Sequence, residues 1–227
     1  MRKLIYYVAV SVDGFIAGPD GRTDSFLSQG DHMAWLIEHY PETIPGHLRG
    51  LLGLAETPSR EFDTVLLGRA THQVAVDEGL VSGYPHLRQY VVTHRPEGLP
   101  AQAGLSASAE DPLALVRRLK AEESPLDIWL CGGGALAGAL VDEIDEFRLK
   151  VNPLILGSGI PLVARDARRA GGGDAAGGGG GAGGGAAGGG EAVSGDGAGG
   201  GADPLPLIQR MRREFASGVS YVEYTRA

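Results

Sequence analysis

The chain has 227 residues, 43% of them hydrophobic, and a formal net charge of −8 at pH 7. This length fits one domain with a sizeable hydrophobic core. The single cysteine, Cys131, excludes an intrachain disulfide and a zinc site of the Cys-x-x-Cys type, and the histidines show no ligand spacing, so no metal site is expected. Because Lys and Arg form no cluster and no apolar run approaches the ~20 residues that span a bilayer, we expect neither nucleic-acid nor membrane partners.

The first predicted element is a β-strand at residues 3–12, where β-branched and aromatic side chains dominate. A secretory signal would need a longer apolar region, but Asp13 ends this one early and no small-residue cleavage site follows. We therefore expect the chain to begin with a strand and to remain in the cytoplasm.

Strands and helices alternate through the rest of the chain. Further strands are predicted at residues 64–67, 90–93, 127–131 and 147–153. Helices are predicted at residues 31–39 with Asp31 as the N-cap, at residues 112–122 capped by Asp111, and from the glycines at 132–134 to about residue 143. This alternation predicts an α/β fold of three layers, αβα, with a mostly parallel central sheet. A C-terminal antiparallel hairpin is predicted at residues 211–215 and 219–225, with its turn at Ser217 and Gly218.

The composition changes abruptly at residues 171–201, which contain 19 of the 38 glycines and 7 alanines. Ordering this segment would cost on the order of 30 kcal/mol at ~1 kcal/mol per residue, whereas closing it as a flexible loop costs about 3 kcal/mol. We therefore expect a disordered Gly/Ala-rich insertion at about 171–201, which interrupts a single domain spanning residues 1–227.

The most informative motif is the run of Gly132, Gly133 and Gly134 between a predicted strand and a predicted helix. Backbone N–H groups at the start of a helix can approach an anion closely there, and pyrophosphate is the natural guest. The run lacks the Gly-Lys-Ser/Thr of a Walker A loop and the full Gly-x-Gly-x-x-Gly pattern. A tight strand-to-helix turn without a ligand is the alternative interpretation.

Two other strand ends carry groups suited to phosphate. The strand that ends at Gly68 is followed by Arg69 and Thr71, and a cation near a helix N-terminus favours an anion. The next strand ends in a hydroxyl and two basic side chains, Thr93, His94 and Arg95. Taken singly, the first of these motifs is also compatible with a surface arginine on a helix, and the second with a solvated turn. Together they predict a ligand beyond the carboxyl ends of the strands, where open α/β sheets bind theirs.

These motifs resemble the dihydrofolate reductase superfamily, through its opening strand at residues 8–18, its Gly-Arg-x-Thr motif at 68–71 and its Gly-Gly-Gly motif after Cys131. A closer likeness is to one branch, the reductase domain of bacterial riboflavin biosynthesis and its stand-alone relatives, and it rests on residues 140–146, 153–162 and 213–224. The resemblance covers nearly the whole chain, apart from the glycine tract and parts of residues 25–60. It implies a dihydrofolate-reductase-like fold.

The resemblance also implies NADPH as the cofactor and assigns a part of it to each motif. The residues implied to lie against the nicotinamide are Ala9 and Ile16. Those implied to hold the adenosine-side phosphates, including the 2′-phosphate, are Gly68, Arg69, Thr71, Thr93, His94 and Arg95. Those implied to hold the pyrophosphate are Cys131, Gly132, Gly133, Gly134, Ala135 and Leu136.

The implied reaction is hydride transfer from the nicotinamide to an electrophilic C=N or C=O carbon of a small pterin- or pyrimidine-like heterocycle. Asp13 and Asp31 are the candidate proton donors, although neither aligns securely with the acid of folate reductases. A reductase acting on 5-amino-6-(5-phosphoribosylamino)uracil is a further option, and a non-catalytic nucleotide-binding protein that retains the cofactor groove is the alternative. By analogy with the same branch, we expect a homodimer.

The predicted insertion yields a first test. Replacing residues 171–201 by a short Gly-Ser linker should leave the melting temperature and the NADPH affinity unchanged, because Val193 is the only apolar side chain larger than alanine in the segment. Thermal unfolding and cofactor titration of both chains measure this. A large loss in either quantity would mean that the tract makes contacts essential to the protein.

Overall fold

A computed structural model describes residues 1–99, 102–165 and 203–227 of the chain. The insertion predicted at residues 171–201 lies outside these ranges. The strands, in chain order, are β1 (Leu4–Ser11), β2 (Phe15–Ala17), β3 (Phe62–Gly68), β4 (Arg88–Val92), β5 (Leu105–Ser108), β6 (Asp127–Gly132), β7 (Glu146–Asn152), β8 (Ile160–Pro161), β9 (Leu207–Glu214) and β10 (Ser220–Arg226). The helices are α1 (Asp31–His39), α2 (Gly46–Arg49), α3 (Arg69–Asp77), α4 (Pro112–Ala121) and α5 (Gly134–Leu140), with a 3-10 turn at Pro41–Thr43.

Eight of these strands form one sheet in the order β5-β4-β3-β6-β1-β7-β10-β9. The first six strands in this order are parallel to their neighbours, whereas β10 runs antiparallel to both β7 and β9. Strands β2 and β8 form a separate small antiparallel sheet. This topology confirms the predicted α/β fold with a mostly parallel sheet and a C-terminal antiparallel hairpin.

Strand β1 shows how the sheet is buried on both sides, because its side chains alternate between two hydrophobic clusters. Leu4 and Tyr6 pack in a cluster with the apolar sides of α4 and α5. Ile5 and Tyr7 pack in the other cluster, with Trp35 of α1. Helices therefore cover both faces, and the three predicted layers are present.

The boundaries of several elements differ from those expected. Helix α1 has its predicted span, but Gly30 is the N-cap and Asp31 is the first helical residue, so the prediction of Asp31 as the cap is wrong. Helix α5 ends at Leu140, earlier than predicted. The N-cap of α4 is as expected, since the Asp111 carboxylate accepts a hydrogen bond of 3.0 Å from the backbone N–H of Ala114.

Helix α5 lies in backbone contact with the segment around β8, and two glycines make this possible. A methyl group built at Gly134 would overlap the carbonyl oxygen of Pro161, and one at Gly138 would overlap that of Ala164. The N–H of Ala164 also donates a 2.9 Å hydrogen bond to the carbonyl oxygen of Gly134. These contacts fix the N-terminus of α5 at the carboxyl end of β6.

The three predicted motifs follow β3, β4 and β6. Because these strands are parallel, their carboxyl ends, and with them the motifs, lie at the same end of the sheet. Strand β3 ends at Gly68 and β6 ends at Gly132, and the two strands are direct neighbours. Helix α3 begins immediately after β3, and α5 begins after β6.

Among the described residues, no helix is both long and apolar enough to cross a membrane.

The expected homodimer remains a prediction, and β9 is the surface that motivates it. This strand forms an edge of the sheet, pairs with β10 alone, and exposes Leu207 and Ile208 by 40% and 41%. An open edge with apolar side chains readily pairs with a second copy. Sedimentation equilibrium should give twice the chain mass of 23.5 kDa, and Ile208→Asp should weaken the association.

The matched control is Leu51→Asp, because Leu51 is 84% exposed and lies on a different segment. It should leave the mass unchanged. A wild-type chain that sediments as a monomer at micromolar concentration would contradict the prediction.

Candidate functional site

A cavity of about 900 Å³ opens beyond the carboxyl ends of β3 and β6. Most of the residues predicted to hold a cofactor line it: Ala9, Ile16, Gly68, Arg69, Thr71, His94, Cys131, Gly132, Gly133, Gly134, Ala135 and Leu136. Two are not among the lining residues, Thr93 and Arg95. The Thr93 hydroxyl instead accepts a 3.1 Å hydrogen bond from the backbone N–H of Arg95, in a local turn.

The two glycine motifs meet in this cavity. A methyl group built at Gly133 would lie 3.6 Å from Oγ1 of Thr71, and one at Gly68 would lie 3.7 Å from the backbone nitrogen of Gly133. Gly132 has a φ of 140°, a backbone conformation that other residues rarely adopt. The strand end and the N-terminus of α3 therefore expose backbone and a hydroxyl to the cavity where a larger side chain would otherwise fill the space.

Arg69 is the first residue of α3 and lies against the cavity. In the described part of the chain, its guanidinium has no hydrogen-bond or ion-pair partner. His72, one turn further, is 2% exposed and has no hydrogen-bond partner for either ring nitrogen. Burial, and then the charge of Arg69, lower the pKa of His72, so this ring stays neutral near pH 7. Arg69 is therefore a cation at a helix N-terminus, which is a favourable position for an anionic ligand.

The charge of the lining contrasts with that of the whole chain. Among the described residues, no Asp or Glu lines the cavity, although the chain carries 28 acidic residues. The ionisable basic groups of the lining are Arg69, His94 and Lys150. Because the cavity collects cations and lacks carboxylates, its electrostatic potential favours an anionic ligand.

Three aromatic residues, Tyr7, Tyr84 and Trp129, form an aromatic wall of the cavity. The indole N–H of Trp129 donates a 2.9 Å hydrogen bond to the carbonyl oxygen of Tyr7, and the Tyr84 ring lies edge-on to Trp129 at 4.8 Å between centroids. Burial raises the pKa of Cys131 to about 12, against a smaller opposite effect of its hydrogen bond with Tyr84. The thiol therefore stays protonated at neutral pH, and the wall is an uncharged, largely apolar surface.

Lys150 is the one basic residue of the described lining that the sequence motifs did not predict. It lies in β7 and donates a 2.9 Å hydrogen bond from Nζ to the carbonyl oxygen of Leu27. A lysine among alternating strand residues is normally a solvated side chain, so its position in the sequence carries no functional signal. Only three of the 20 Lys and Arg residues are lysines, and this scarcity was the one sequence feature that could have drawn attention to Lys150.

The predicted proton donor Asp13 does not line the cavity. Its carboxylate accepts hydrogen bonds from the Ser11 hydroxyl at 2.6 Å, from the N–H of Leu156 at 3.1 Å and from the N–H of Gly157 at 2.7 Å. The Ser11 hydrogen bond is the largest cause that lowers the pKa of Asp13. The structure thus gives this carboxylate a role in holding the turn after β1 against the segment after β7.

Asp31 is likewise absent from the lining. Its carboxylate accepts hydrogen bonds from the N–H groups of Ala216 and Ser217, at 2.7 and 3.1 Å, in the turn between β9 and β10. Desolvation alone would raise the pKa of Asp31, but these two hydrogen bonds lower it. The side chain therefore attaches the terminal hairpin to α1.

Residues 2–169 match the family described as the RibD C-terminal domain. Because this match covers most of the chain, the chain belongs to that family. The uncharacterized protein YwjB of Bacillus subtilis (strain 168) is 34% identical over 163 residues, covering 71% of this chain and 82% of the relative. The uncharacterized protein YyaP of the same organism is 26% identical over 174 residues, covering 71% and 80%.

Two solved structures share the fold. A protein of Shewanella sp. PV-4 described as a "putative riboflavin biosynthesis protein" aligns with a TM-score of 0.57 and 17% identity, covering 100% of this chain and 99% of its own. A Thermotoga maritima diaminohydroxyphosphoribosylaminopyrimidine deaminase/5-amino-6-(5-phosphoribosylamino)uracil reductase aligns with a TM-score of 0.55 and 12% identity, covering 100% of this chain and 57% of its own. The chain therefore has a riboflavin-pathway reductase-like fold, as its resemblance implied.

The hydrogen bonds of Asp31 predict a structural effect of its removal. Asp31→Ala should lower the melting temperature, since two backbone N–H groups lose their acceptor, and should leave the NADPH affinity of the folded protein unchanged. Because the folded-state pKa is lowered, the stabilisation is complete above the ordinary pKa of 3.8 and disappears as the pH falls through the folded-state value. The difference in melting temperature should therefore shrink in acid.

Glu110→Ala is the matched control, because Glu110 pairs with Arg118 at 2.9 Å on the exposed side of α4. An exposed ion pair contributes little, so the melting temperature should barely change. If Asp31→Ala abolished cofactor binding without any loss of stability, Asp31 would belong to the site after all.

Proposed function

We propose that this chain is an NADPH-dependent reductase that acts on a small heterocycle of the pterin or pyrimidine type. The observation that carries the proposal is the cavity in which two glycine-rich strand ends meet. Among the described residues, no carboxylate lines this cavity and Arg69 has no hydrogen-bond or ion-pair partner. Its volume of about 900 Å³ lies within the range of ordinary cofactor and substrate pockets. The family membership supports a reductase over other enzymes of the same fold class.

The residues of the cavity fit the parts of this cofactor. Backbone N–H groups from Gly133 to Leu136, at the start of α5, would hold the pyrophosphate. Arg69 and the hydroxyl of Thr71 would hold a phosphate on the adenosine side, since a guanidinium binds phosphate oxygens in pairs. Ala9 and Ile16 offer small apolar surfaces for a flat ring.

The protein's own contribution to the reaction would be orientation and exclusion of water. When bound, NADPH supplies the hydride for an electrophilic C=N or C=O carbon. The aromatic wall of Tyr7, Tyr84 and Trp129 would keep that carbon in an apolar environment. Phe26 and Leu36, which are buried and line the same cavity, would also exclude water from it.

A reductase that acts on a ribosylated pyrimidine is the narrower form of the proposal. It draws support from the Thermotoga maritima neighbour, whose name describes both a deaminase and a uracil reductase. This chain aligns with 57% of that longer protein. The pyrimidine reductase activity is therefore the part of that name we carry over as a proposal.

One observation favours a second function, that of a non-catalytic nucleotide-binding protein. Asp13 and Asp31 both have their carboxylates engaged by the backbone, and no acidic side chain of the described residues lines the cavity to act as a proton donor. NADPH oxidation in the presence of a panel of oxidised pterins and pyrimidines separates the two functions. Turnover with a panel member establishes the reductase, whereas cofactor binding without any turnover supports the binding protein.

The guanidinium of Arg69, which has no partner among the described residues, predicts which cofactor is preferred. Arg69→Ala should weaken NADPH binding by about 10- to 100-fold, because a charge-assisted hydrogen bond contributes roughly 1.5–3 kcal/mol. NADH binding should change little, since it lacks the 2′-phosphate. Isothermal titration calorimetry of both cofactors measures the two effects.

Arg118→Ala is the matched control, because this arginine pairs with Glu110 on α4 and does not line the cavity. It should bind both cofactors as the wild type does. Equal weakening of NADPH and NADH by Arg69→Ala would mean that Arg69 does not meet the 2′-phosphate. A wild-type chain that binds neither cofactor would overturn the proposed function.

A further inference from the structure

The three lysines of the chain differ in their partners. Lys3 forms an ion pair with Glu146 at 2.6 Å, and Lys120 forms one with Asp145 at 2.7 Å. Lys150 has no carboxylate partner in the described ranges of the chain. It is also the one lysine that lines the cavity. Its charge is therefore not neutralised by the described protein, although the chain is rich in acids.

The position of Lys150 in the sheet places it beside the surface proposed for the nicotinamide. In the register of the sheet, Lys150 of β7 is opposite Ala9 of β1 on one side and Tyr221 of β10 on the other. Paired residues point to the same face, and neighbouring strands are about 4.8 Å apart. The Lys150 side chain thus shares the face of Ala9, one strand further from the glycine motifs.

The segment around Leu27, which lines the cavity beside Lys150, is held in place by several hydrogen bonds. The N–H of Leu27 donates to Oδ1 of the buried Asn152 at 3.0 Å. The carbonyl oxygen of Leu27 accepts from Lys150 at 2.9 Å and lies 3.2 Å from Nε2 of His32. The other His32 nitrogen lies 2.9 Å from the Ser217 hydroxyl. Leu27 is therefore anchored independently of Lys150.

The ammonium group has more donors than the protein uses. A lysine offers three N–H donors, and the carbonyl oxygen of Leu27 takes one of them. In the described part of the chain, no other acceptor is bonded to Nζ. Two donors and a full positive charge are thus available to a ligand in the cavity.

The ionisable groups around Lys150 leave this charge uncompensated. Burial lowers the pKa of His32 on α1, and the positive charge of Lys150 adds to this effect, so the imidazole stays neutral. Tyr7 on β1 and Tyr221 on β10 are buried phenols whose pKa values are raised by burial. Arg148, two residues earlier on the same strand, is already paired with Glu61 and Glu146. Burial also lowers the pKa of Lys150 itself, because removing an ammonium group from water disfavours its charged form.

We propose that Lys150 anchors the substrate, and that the substrate is a heterocyclic carboxylate. One cation with two unused N–H donors matches the single charge and two oxygens of a carboxylate. A phosphate dianion carries two negative charges, whereas Lys150 supplies one positive charge here. The other basic residues of the described lining, Arg69 and His94, follow β3 and β4, which lie away from β7 in the sheet. The assignment rests on the proposed function for the position of the reacting ring beside Ala9, and it narrows the substrate class of that site.

Three pyrimidines test the assignment as matched probes: orotate with a carboxylate, uracil without one, and uridine 5′-monophosphate with a phosphate. Protein labelled with ¹³C at the lysine ε-carbons gives three resolvable signals, because the chain contains three lysines. Orotate should shift the Lys150 signal and leave those of Lys3 and Lys120 in place. Uracil and uridine 5′-monophosphate should shift the Lys150 signal much less at equal concentration.

Substitutions give the second readout. Lys150→Met should weaken orotate binding by about 10- to 100-fold, the usual loss for a charge-assisted hydrogen bond, and Lys150→Arg should retain most of it. Lys3→Met, at an exposed ion pair outside the cavity, is the control and should bind orotate as the wild type does. The shift experiment on the ¹³C-labelled wild-type chain needs no substitution, so it still decides the question if a Lys150 variant fails to fold.

Four results would overturn the proposal that Lys150 anchors a carboxylate. Equal binding of orotate and uracil, no orotate binding, or orotate binding that survives Lys150→Met would show that Lys150 does not anchor a carboxylate. Preferential binding of uridine 5′-monophosphate through Lys150 would assign a phosphate in its place. Failure of the wild type to bind NADPH, with orotate still bound at Lys150, would overturn the reductase function and leave the anchoring role intact.

Discussion

The contact between α5 and the backbone around β8 is the constraint on which the cavity depends. Gly134 and Gly138 have no side chains because Pro161 and Ala164 occupy the space where a Cβ would be. If α5 were displaced, its N-terminus would no longer lie at the end of β6, and the backbone N–H groups proposed for the pyrophosphate would point elsewhere. The run of three glycines therefore serves two purposes: Gly132 permits a left-handed backbone conformation, and Gly134 permits close packing.

The distribution of charge follows from how the carboxylates are used. Asp13, Asp31 and Asp111 each accept hydrogen bonds from backbone N–H groups at turns or helix ends. Acids that perform this structural work stay outside the cavity, so its basic groups meet no local competition for an anion. An acidic chain can thereby present a positively charged cavity, with Arg69 at the glycine motifs and Lys150 three strands away along the sheet order β3-β6-β1-β7.

Much of the fold was predictable because its elements have strong local signals. Helix α1 matches its predicted span, and the hairpin of β9 and β10 turns at the expected Ser217 and Gly218, where Gly218 has a φ of 84°. The small sheet of β2 and β8 was missed, since strands of three and two residues are too short for any period to be recognised.

The parts of the site that are formed by backbone groups next to glycines were predictable from the sequence. The parts that depend on contacts between distant segments were not. Glycines after strands mark close approaches of the backbone, and the cavity brings those motifs together. The role of Asp31 was not predictable, because an aspartate at a helix start gives the same local signal as a cap, an acid catalyst or a distant acceptor. Its partners are 185 residues away in the sequence. Lys150 was missed because burial of a strand lysine depends on the segment around Leu27, for which the sequence has no distinctive pattern.

A crystal structure of the chain with NADPH would show directly how the cofactor lies in the cavity. We expect the pyrophosphate against the backbone at the start of α5, the 2′-phosphate beside Arg69, and the nicotinamide against Ala9. NADPH bound in the opposite direction, with its adenosine phosphates at Lys150, would contradict the account. So would a cofactor bound outside the cavity.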